Sequence, residues 1–459
     1  MDRQSDGSNQ EKEDRISGLP DPILRHILSF LPTKDAVATS ILSSRWKLVW
    51  TSLTNLCFDN RLCLQHEDTY DLINDASTMF ENFVNRVLVL SYPVDINKFS
   101  LHCYKLRYLA CLHSWVSIAI MRNVCEIELS IKILDSLMSI ELPESIYTSK
   151  TLEVLKLKGD FVIRLPPSGL CFPTLKILHI EIYNCVDNFT ETLLSNCPVL
   201  EDLSIMVHLY GDFATLNISS PILKRSTLTF SHDDALTLTE HHVVITAPNL
   251  HYLSILDWAP VSYMPYEPHS LTKVVIDFSS LYAIGPYNGS YVCSDLAAPY
   301  VVQLLKGITN TKFLSLSSGT ISVLDCAAVD FLPTFPNLTC LEVPVLSGWE
   351  LLSVLLSSAP NLESLFLGTV IGFNCEWTEP QFVPDWLLSR VKMIKIEGFQ
   401  GEKNQLKLIQ YLLKNGEVLD TLVIRFQSTF PQKMGLKDKL YQKLLMFERG
   451  SKTCKVKVL

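Results

Sequence analysis

The amino-acid sequence predicts an α/β protein in which a small N-terminal helical module precedes a long, irregular repeat solenoid with a parallel concave sheet. Three observations support this prediction. Residues 21–50 carry three short helical patterns, a strand-like apolar pattern recurs from residue 96 onward, and 47% of the 459 residues are apolar. A chain of this length exceeds one ordinary compact domain, so we expect several units or a repeat array.

The helical module is predicted from cap residues that each precede an apolar face. Asp21 is expected to cap the first helix, and Pro22 suits its first position. Thr33 is expected to cap a second helix, and Ser43 or Ser44 a third. A module this short has too small a core to be stable alone. We therefore expect it to pack on neighbouring segments or on a partner.

The repeat unit is an apolar residue, two variable positions, a second apolar residue, one variable position and a third apolar residue. Most copies begin 21–29 residues apart, but a step of 40 residues after Leu271 indicates an insertion or a missed repeat. Weaker copies begin at Leu223 and Thr311. The clear copies are Ile96-Phe99-Leu101, Val124-Ile127-Leu129, Leu152-Leu155-Leu157, Leu175-Leu178-Ile180, Leu200-Leu203-Ile205, Leu250-Leu253-Ile255, Leu271-Val274-Ile276, Leu338-Leu341-Val343, Leu362-Leu365-Leu367, Val391-Ile394-Ile396 and Leu419-Leu422-Ile424.

This period has a physical explanation. Each unit is one short strand plus a return segment, and stacked units bury together the apolar side that none can cover alone. Alternation along the strand sends the second and third apolar residues into the core and the residues between and after them to the concave face. Return helices are expected at 190–196 and 351–358, each followed by a proline that prevents continuation. An ordinary α/β domain is the alternative, but the many spaced copies favour a leucine-rich-repeat solenoid.

Charge and composition exclude several classes of function. The net charge of −9 gives no basic footprint for nucleic acid, and no Lys/Arg run indicates an anionic-lipid surface. We expect neither a secretory signal nor a transmembrane helix, and a location in the cytoplasm and/or nucleus. The thirteen cysteines include no C-x-x-C pair, which favours reduced thiols over disulfides or a zinc site. No sequence motif indicates a metal, a cofactor or a catalytic group.

Two segments carry a resemblance to known plant proteins. Residues 14–24, 26–37 and 39–46, followed by Trp50, closely resemble a plant F-box. Residues 382–384, Phe399-x-Gly401, 411–415 and the tail 447–451 resemble the FBD segment often found in the same proteins; that segment often has an acidic residue where Asn404 and Gln405 stand here. Together with the repeats, the chain looks like an F-box/LRR/FBD protein. The predicted division is a disordered tail (1–14), an F-box (15–55), a linker or first solenoid cap (56–95), the solenoid (96–375) and an FBD segment continuing the solenoid (376–459).

The resemblance implies a function and a set of residues. F-boxes bind a Skp-type adaptor, which joins them to a cullin–RING ubiquitin ligase. The resemblance therefore implies a non-catalytic, substrate-recognising subunit of an SCF-type ligase that needs no cofactor. By motif match, the module and its adaptor-binding surface would be formed by Leu19, Pro20, Ile23, Leu24, Ile27, Leu28, Leu31, Pro32, Leu42 and Trp46.

A protein substrate is expected on the concave face of the solenoid, where aromatic and arginine side chains are good interface anchors. The candidate substrate-binding residues are Lys156, Lys158, His179, Glu181, Met206, Arg225, Tyr252, Phe313, Phe366 and Lys395.

Three alternatives remain open. The protein could be a scaffold that sequesters a partner without binding the adaptor. It could be a thiol-dependent hydrolase, which would require a cysteine with a lowered pKa. It could also combine the adaptor role with a small ligand held in the solenoid, as some plant F-box/LRR receptors do.

Overall fold

The structure is a computed structural model in which the chain divides into two compact units, Met1–Ile180 and Glu181–Leu459. The predicted tail at residues 1–14 lies outside the described residues. The structure describes residue 16 and the ranges 18–61, 70–91, 94–106, 109–133, 139–165, 171–182, 189–209, 215–232, 241–256, 261–265, 270–278, 292–326, 332–343, 349–368, 379–380, 382–427 and 436–459.

The N-terminal module contains two short α-helices followed by 3₁₀ segments. The α-helices are α1 (Asp21–Leu28) and α2 (Thr33–Ala38), and the 3₁₀ segments are Thr39–Ile41 and Trp46–Ser52. Three helical segments were therefore predicted correctly, but the third is a 3₁₀ helix.

The predicted helix caps are wrong. Pro20 is the N-cap of α1, because its carbonyl accepts the N–H of Leu24 (3.1 Å), and no side chain caps the helix. Pro32 caps α2 in the same way. The Thr33 hydroxyl does not cap α2 because it accepts the backbone N–H of Cys57 at 2.7 Å.

In unit 1, parallel strands follow one another in chain order along the main sheet, with a separate small pair beside them. Their sheet order is β1-β2-β3-β5-β7, and β4 pairs with β6. The strands are β1 (Asn55–Asp59), β2 (Lys98–Leu106), β3 (Glu126–Ile133), β4 (Ile140–Glu141), β5 (Val154–Lys158), β6 (Phe161–Val162) and β7 (Ile177–Ile182), whose end passes into unit 2. The remaining helices are α3 (Tyr70–Leu90), α4 (Leu109–Met121) and a 3₁₀ turn at Glu144–Ile146.

In unit 2, the main strands are again parallel and the return segments are helices or short strands. The sheet order is β8-β10-β12-β14-β15-β16-β17-β18-β19-β20, and a second sheet has the order β13-β11-β9. The strands are β8 (Asp202–Leu209), β9 (Thr215–Ser219), β10 (Arg225–His232), β11 (His241–Thr246), β12 (Tyr252–Leu256), β13 (Val261–Pro265), β14 (Lys273–Asp277), β15 (Phe313–Leu316), β16 (Cys340–Val343), β17 (Ser364–Leu367), β18 (Met393–Phe399), β19 (Thr421–Phe426) and β20 (Lys455–Val458). The helices are α5 (Phe189–Ser195), α6 (Val292–Gly307), α7 (Ser318–Cys326), α8 (Trp349–Ser357), α9 (Asp385–Ser389), α10 (Lys403–Asn415) and α11 (Leu436–Leu445).

The predicted fold class is confirmed, because the apolar repeats form these strands. In every clear copy the second and third apolar residues are buried, with at most 4% of their surface exposed. Return helices α5 and α8 also lie where they were expected. The weak copy at Leu223 also forms a strand, β10, in which Ser226 occupies the first core position and is fully buried.

Three features of the sheet were missed or left open. Strand β1 fits the same pattern at Leu53-x-x-Leu56-x-Phe58, one repeat before the predicted start, and β20 adds a strand at the other end of the chain. The long step after Leu271 is an insertion, because β14 pairs directly with β15. Part of that insertion, 279–291, lies outside the described residues.

A buried arginine joins the two long helices of unit 1. The Arg122 guanidinium, 4% exposed, donates to the carbonyls of Val94 (2.6 Å), Ser91 (3.1 Å) and Leu88 (3.3 Å). Carbonyls at the end of α3 have no partner within the helix, so a cation there satisfies them and complements the helix dipole. None of the described helices, including the 21-residue α3, is both long and apolar enough to cross a bilayer.

The C-terminal segment explains two residues of the FBD-like pattern. Gly401 has φ +78°, which strains any residue with a side chain, and a Cβ there would lie 2.7 Å from a Leu440 methyl group and displace it. Gln405 is buried, and its Oε1 accepts the N–H groups of Gln400 (2.8 Å) and Glu402 (3.3 Å). A carboxylate could accept the same two bonds, which accounts for an amide standing where the FBD segment often has an acid.

Candidate functional site

The module assigned to adaptor binding has a small core of its own. Leu24, Leu28 and Trp46 are only 0%, 1% and 4% exposed, and Ala36 and Trp50 are buried with them. Leu24, Leu28 and Trp46 were assigned to the module or its adaptor-binding surface. Their burial corrects this assignment to the core of the module. The physical reason is helical phase, because Leu24 and Leu28 lie one turn apart on the inward face of α1.

The same module exposes a concentration of large apolar side chains. Eight of the twenty-one exposed large apolar side chains among the described residues fall between residues 16 and 48. Four of the eight belong to the predicted set, and they are Ile23, Ile27, Leu31 and Leu42. We call the eight the apolar docking surface: Ile16, Ile23, Ile27, Phe30, Leu31, Ile41, Leu42 and Leu48.

The other predicted residues of the module are distributed around this surface. Pro20 and Pro32 are exposed at the starts of the helices, and Leu19 is half-buried. Arg45 holds the entry to α1 through a hydrogen bond to the Leu19 carbonyl and an ion pair with Asp21 (3.0 Å). Both charged side chains are largely exposed, so the pair orients the chain more than it stabilises it.

Sequence reasoning missed half of the apolar docking surface because helical periodicity ends early. Phe30 is 75% exposed and follows α1, which stops at Leu28. Ile41 follows α2 and is also absent from the predicted set. It is 86% exposed because α2 ends at Ala38 and the chain tightens into a 3₁₀ turn.

The module is attached to the sheet of unit 1 by a buried side chain. Thr33 is 1% exposed, and its hydroxyl satisfies the outward-facing N–H of Cys57 in β1, the first strand of that sheet. An edge strand with unpaired N–H groups is a liability in a sheet. The module therefore satisfies the outward N–H of Cys57 and is fixed to the edge strand at that point.

The second candidate surface is the solvent-facing side of the main sheet. Residues at matching positions of neighbouring strands form rows across it, because the strands are parallel and in register. Most predicted substrate residues lie in these rows. Lys158 and Arg225 are exposed, whereas the half-buried members are Lys156, His179, Met206, Tyr252, Phe313, Phe366 and Lys395.

Glu181 was predicted on this face but is buried, which corrects its assignment. Its Oε1 lies 2.7 Å from Nε2 of His208 on the next strand, and its side chain is 9% exposed. The burial alternation of β7 breaks at this residue, because Ile180, Glu181 and Ile182 are all buried. This carboxylate is therefore occupied within the protein.

In unit 1 the charged rows neutralise themselves. The Lys98 ammonium contacts Glu126 (2.9 Å) and Glu128 (3.2 Å), and Lys156 lies 3.6 Å from Glu126. Burial alone would raise the pKa of Glu128, but the hydrogen bond from Lys98 and the nearby positive charges outweigh burial and lower it. Lys156 is thus already part of an internal network.

In unit 2 the rows combine cations with aromatic rings. The Lys273 ammonium lies 4.6 Å from the ring centroid of Phe313 and 5.8 Å from that of Tyr252. Lys395 lies 5.6 Å from the ring centroid of Phe366. Both rings of the first group belong to the predicted set, but Lys273 does not, although it stands at the matching first position of β14.

Five of the described cysteines do not support nucleophilic chemistry. Burial is the main cause that raises the pKa of Cys103 to about 12 and that of Cys340 to about 11. Burial likewise raises the pKa of Cys111, Cys171 and Cys454. A reactive thiol needs the opposite shift. The described residues also contain no cluster of three or more His, Cys, Asp or Glu side chains that could hold a metal ion.

A small helical module with an apolar surface, joined to stacked strand–return units, defines a leucine-rich-repeat protein with an N-terminal F-box. Comparison with known families agrees along the chain. Residues 16–58 match the F-box domain, 112–288 match the LRR repeats of the FBD-associated F-box protein At5g56370, and 379–424 match the FBD domain.

Relatives of similar length come from Arabidopsis thaliana. F-box/LRR-repeat protein At3g59200 is 32% identical over 97% of this chain and 88% of its own length. F-box/FBD/LRR-repeat protein At1g78750 is 32% identical over 97% and 96%, and F-box/LRR-repeat protein 13 is 30% identical over 98% and 97%. The chain therefore belongs to the plant F-box/LRR-repeat family and carries the FBD domain.

Proposed function

We propose that this protein is the substrate-recognition subunit of an SCF-type E3 ubiquitin ligase. Its F-box would bind a Skp-type adaptor, and through it a cullin–RING ligase, while the repeats would bind a protein substrate. The observation that carries this proposal is the apolar docking surface on a module that already has its own core. Apolar groups of this kind, concentrated within a few turns of chain, are typical of a protein-binding site.

In this proposal the chain contributes no catalytic group. A ligase subunit of this kind raises the effective concentration of a substrate lysine near a conjugating enzyme bound to the same assembly. The raised pKa values of Cys103, Cys111, Cys171, Cys340 and Cys454 fit a binding role better than a nucleophilic one at these thiols. The two kinds of surface, apolar on the module and charged or aromatic on the sheet, fit two partners of different chemistry.

The location that follows from these partners is the cytoplasm and/or nucleus, and we propose it on that basis. Imaging of a fluorescent fusion in plant cells tests it, and accumulation in a secretory compartment would contradict it.

The test of the function is affinity purification of the full chain from plant cells under proteasome inhibition. We compare the natural chain with an Ile23→Asp/Ile27→Asp double variant, whose changed side chains are exposed and whose core residues are untouched. The adaptor and the cullin should co-purify with the natural chain, and their recovery should fall at least about tenfold with the double variant. Substrate proteins should remain with both.

Val89→Asp provides the matched control, because Val89 is also an exposed apolar residue but lies on α3 outside the module. It should leave adaptor recovery unchanged. Equal adaptor recovery from the double variant and the natural chain would contradict the proposal. Absence of adaptor and cullin from the natural chain would instead support a scaffold that only sequesters a partner.

A further inference from the structure

Four side chains line up on the solvent-facing side of the sheet in unit 2. Arg225, Tyr252, Lys273 and Phe313 pair in register on the adjacent strands β10, β12, β14 and β15. Neighbouring strands lie about 4.8 Å apart, so the row extends for about 14 Å. We call these four residues the cation–aromatic row.

The Lys273 ammonium is the centre of this row. It lies between the two rings, and no carboxylate among the described residues comes within 4.0 Å of it. Aromatic faces stabilise a cation only in part, and they leave its N–H donors available. The row thus presents a positive charge that the described protein does not neutralise with an acid.

Other lysines of the sheet show the contrast. Lys395 also lies over a ring, but its ammonium contacts Glu397 at 2.6 Å. Lys98 contacts two carboxylates within 3.2 Å. At the start of the row, Arg225 is held by Asp202 at 2.8 Å and still has 60% of its side chain exposed. Lys395, Lys98 and Arg225 therefore each have a carboxylate partner, whereas Lys273 has none among the described residues.

The strand positions beside the row leave it accessible from the side. The neighbouring residues two positions along the strands are small, and they are Thr227, Ser254, Val275 and Ser315. The tall side chains of the row therefore stand next to a lower strip of the sheet, and a bound segment could reach the ring faces as well as the ammonium.

We propose that the cation–aromatic row binds an exposed acidic peptide segment of the protein substrate. An Asp or Glu carboxylate of that segment pairs with Lys273, and an adjacent apolar or aromatic side chain packs on the rings of Tyr252 and Phe313. The inference rests on the proposed function, since it names the substrate chemistry of the repeat surface. Tyrosine and arginine are enriched among residues that dominate binding energy, and charge complementarity adds specificity.

The test measures binding of short fluorescein-labelled peptide pools to the full-length chain by anisotropy. One pool has a fixed central Glu-Phe in an uncharged random background, and the matched pool has Gln-Phe. The Glu-Phe pool should bind about tenfold more tightly, as expected for one close charge pair. Raising the salt concentration should reduce this preference.

Substitutions test whether the preference for the Glu-Phe pool depends on the cation–aromatic row. Lys273→Met should abolish the preference for Glu-Phe, and Phe313→Ala should weaken binding of that pool. Lys443→Met is the matched control, because Lys443 is an exposed lysine of α11 that belongs to neither candidate surface, and it should change nothing. Should Lys273→Met unfold, Lys273→Gln takes its place. Equal affinity for the two pools, or a preference that survives loss of Lys273, overturns the inference.

Titration of the same samples with a purified Skp-type adaptor separates this inference from the proposed function. Adaptor binding without a preference for the Glu-Phe pool overturns the acidic-peptide site alone. A preference for that pool without adaptor binding overturns the ligase role and leaves the peptide site standing.

Discussion

Ile23 and Leu24 are neighbours in sequence, yet one belongs to the apolar docking surface and the other to the core of the module. The motif match assigns the same role to both apolar residues, because it does not distinguish the two faces of α1. The structural difference matters for experiment. Truncating fully buried Leu24 to Ala leaves a cavity and costs about 2–5 kcal/mol, so loss of binding could not be separated from loss of folding.

Cys103 gives a test of burial at the scale of one residue. Its pKa is raised from 9.0 to about 12 by burial first, and then by the charges of Glu81 and Asp59. The folded state therefore keeps a proton that the unfolded chain loses above pH 9. The contribution of this thiol to the free energy of unfolding is fully present below pH 9. It falls by about 1.4 kcal/mol per pH unit as the pH rises from 9 towards 12.

We expect Cys103→Ala to show a shallower fall in unfolding free energy between pH 9 and pH 11 than the natural chain. Urea unfolding at each pH measures it. The difference between the variant and the natural chain, rather than either slope alone, isolates the contribution of Cys103. Parallel curves for the two proteins would mean that the thiol is not protected from ionisation.

At the scale of elements, the repeats were the most predictable part of the structure. A strand whose two core residues are leucine, isoleucine or valine at fixed spacing is specified locally, and the period then specifies its neighbour. The caps of α1 and α2 were not predictable in this way. Whether the Thr33 hydroxyl caps its own helix or binds Cys57 depends on a contact 24 residues away.

The same long-range dependence limited the candidate site. Glu181 looks exposed by alternation, but His208 on the next strand binds it. Lys273 gains significance only because the register brings Tyr252 and Phe313 to either side of it. Such cross-strand contacts depend on the conformations of the side chains, which the spacing of the repeats does not specify.

The bond between α2 and β1 gives a test at this scale. Thr33→Val keeps the shape of the side chain but removes the acceptor for the Cys57 N–H. An N–H left without a partner costs about 1–3 kcal/mol when buried, and Cys57 is half-buried, so we expect about 1 kcal/mol. Amide hydrogen exchange at Cys57 and its neighbours in β1 should accelerate.

Thr33→Ser is the control for that experiment, because serine retains the hydroxyl. It should preserve slow exchange at Cys57. If Thr33→Val exchanges as slowly as the natural chain, the hydroxyl does not protect the edge of the sheet.

For the whole molecule, the two units present surfaces of different chemistry. Within unit 1 the module contacts the first strand of the sheet at Cys57 and exposes eight large apolar side chains. Within unit 2 the parallel strands present rows of side chains whose spacing is fixed by the backbone, and the strand order ends at β20, where Lys455 and Lys457 are exposed. Charged residues on an edge strand discourage pairing with other chains, so we expect a partner to bind the face of the sheet rather than this edge.

The central claim is that the apolar docking surface binds a Skp-type adaptor. Isothermal titration of purified adaptor into the full-length chain tests it most directly, with Ile41→Asp as the disrupting variant and Met121→Asp, on α4, as the matched exposed control. We expect a one-to-one complex with the natural chain and the control, and an affinity at least about tenfold lower for Ile41→Asp. No heat of binding from the natural chain, or an unchanged affinity for Ile41→Asp, would contradict the claim.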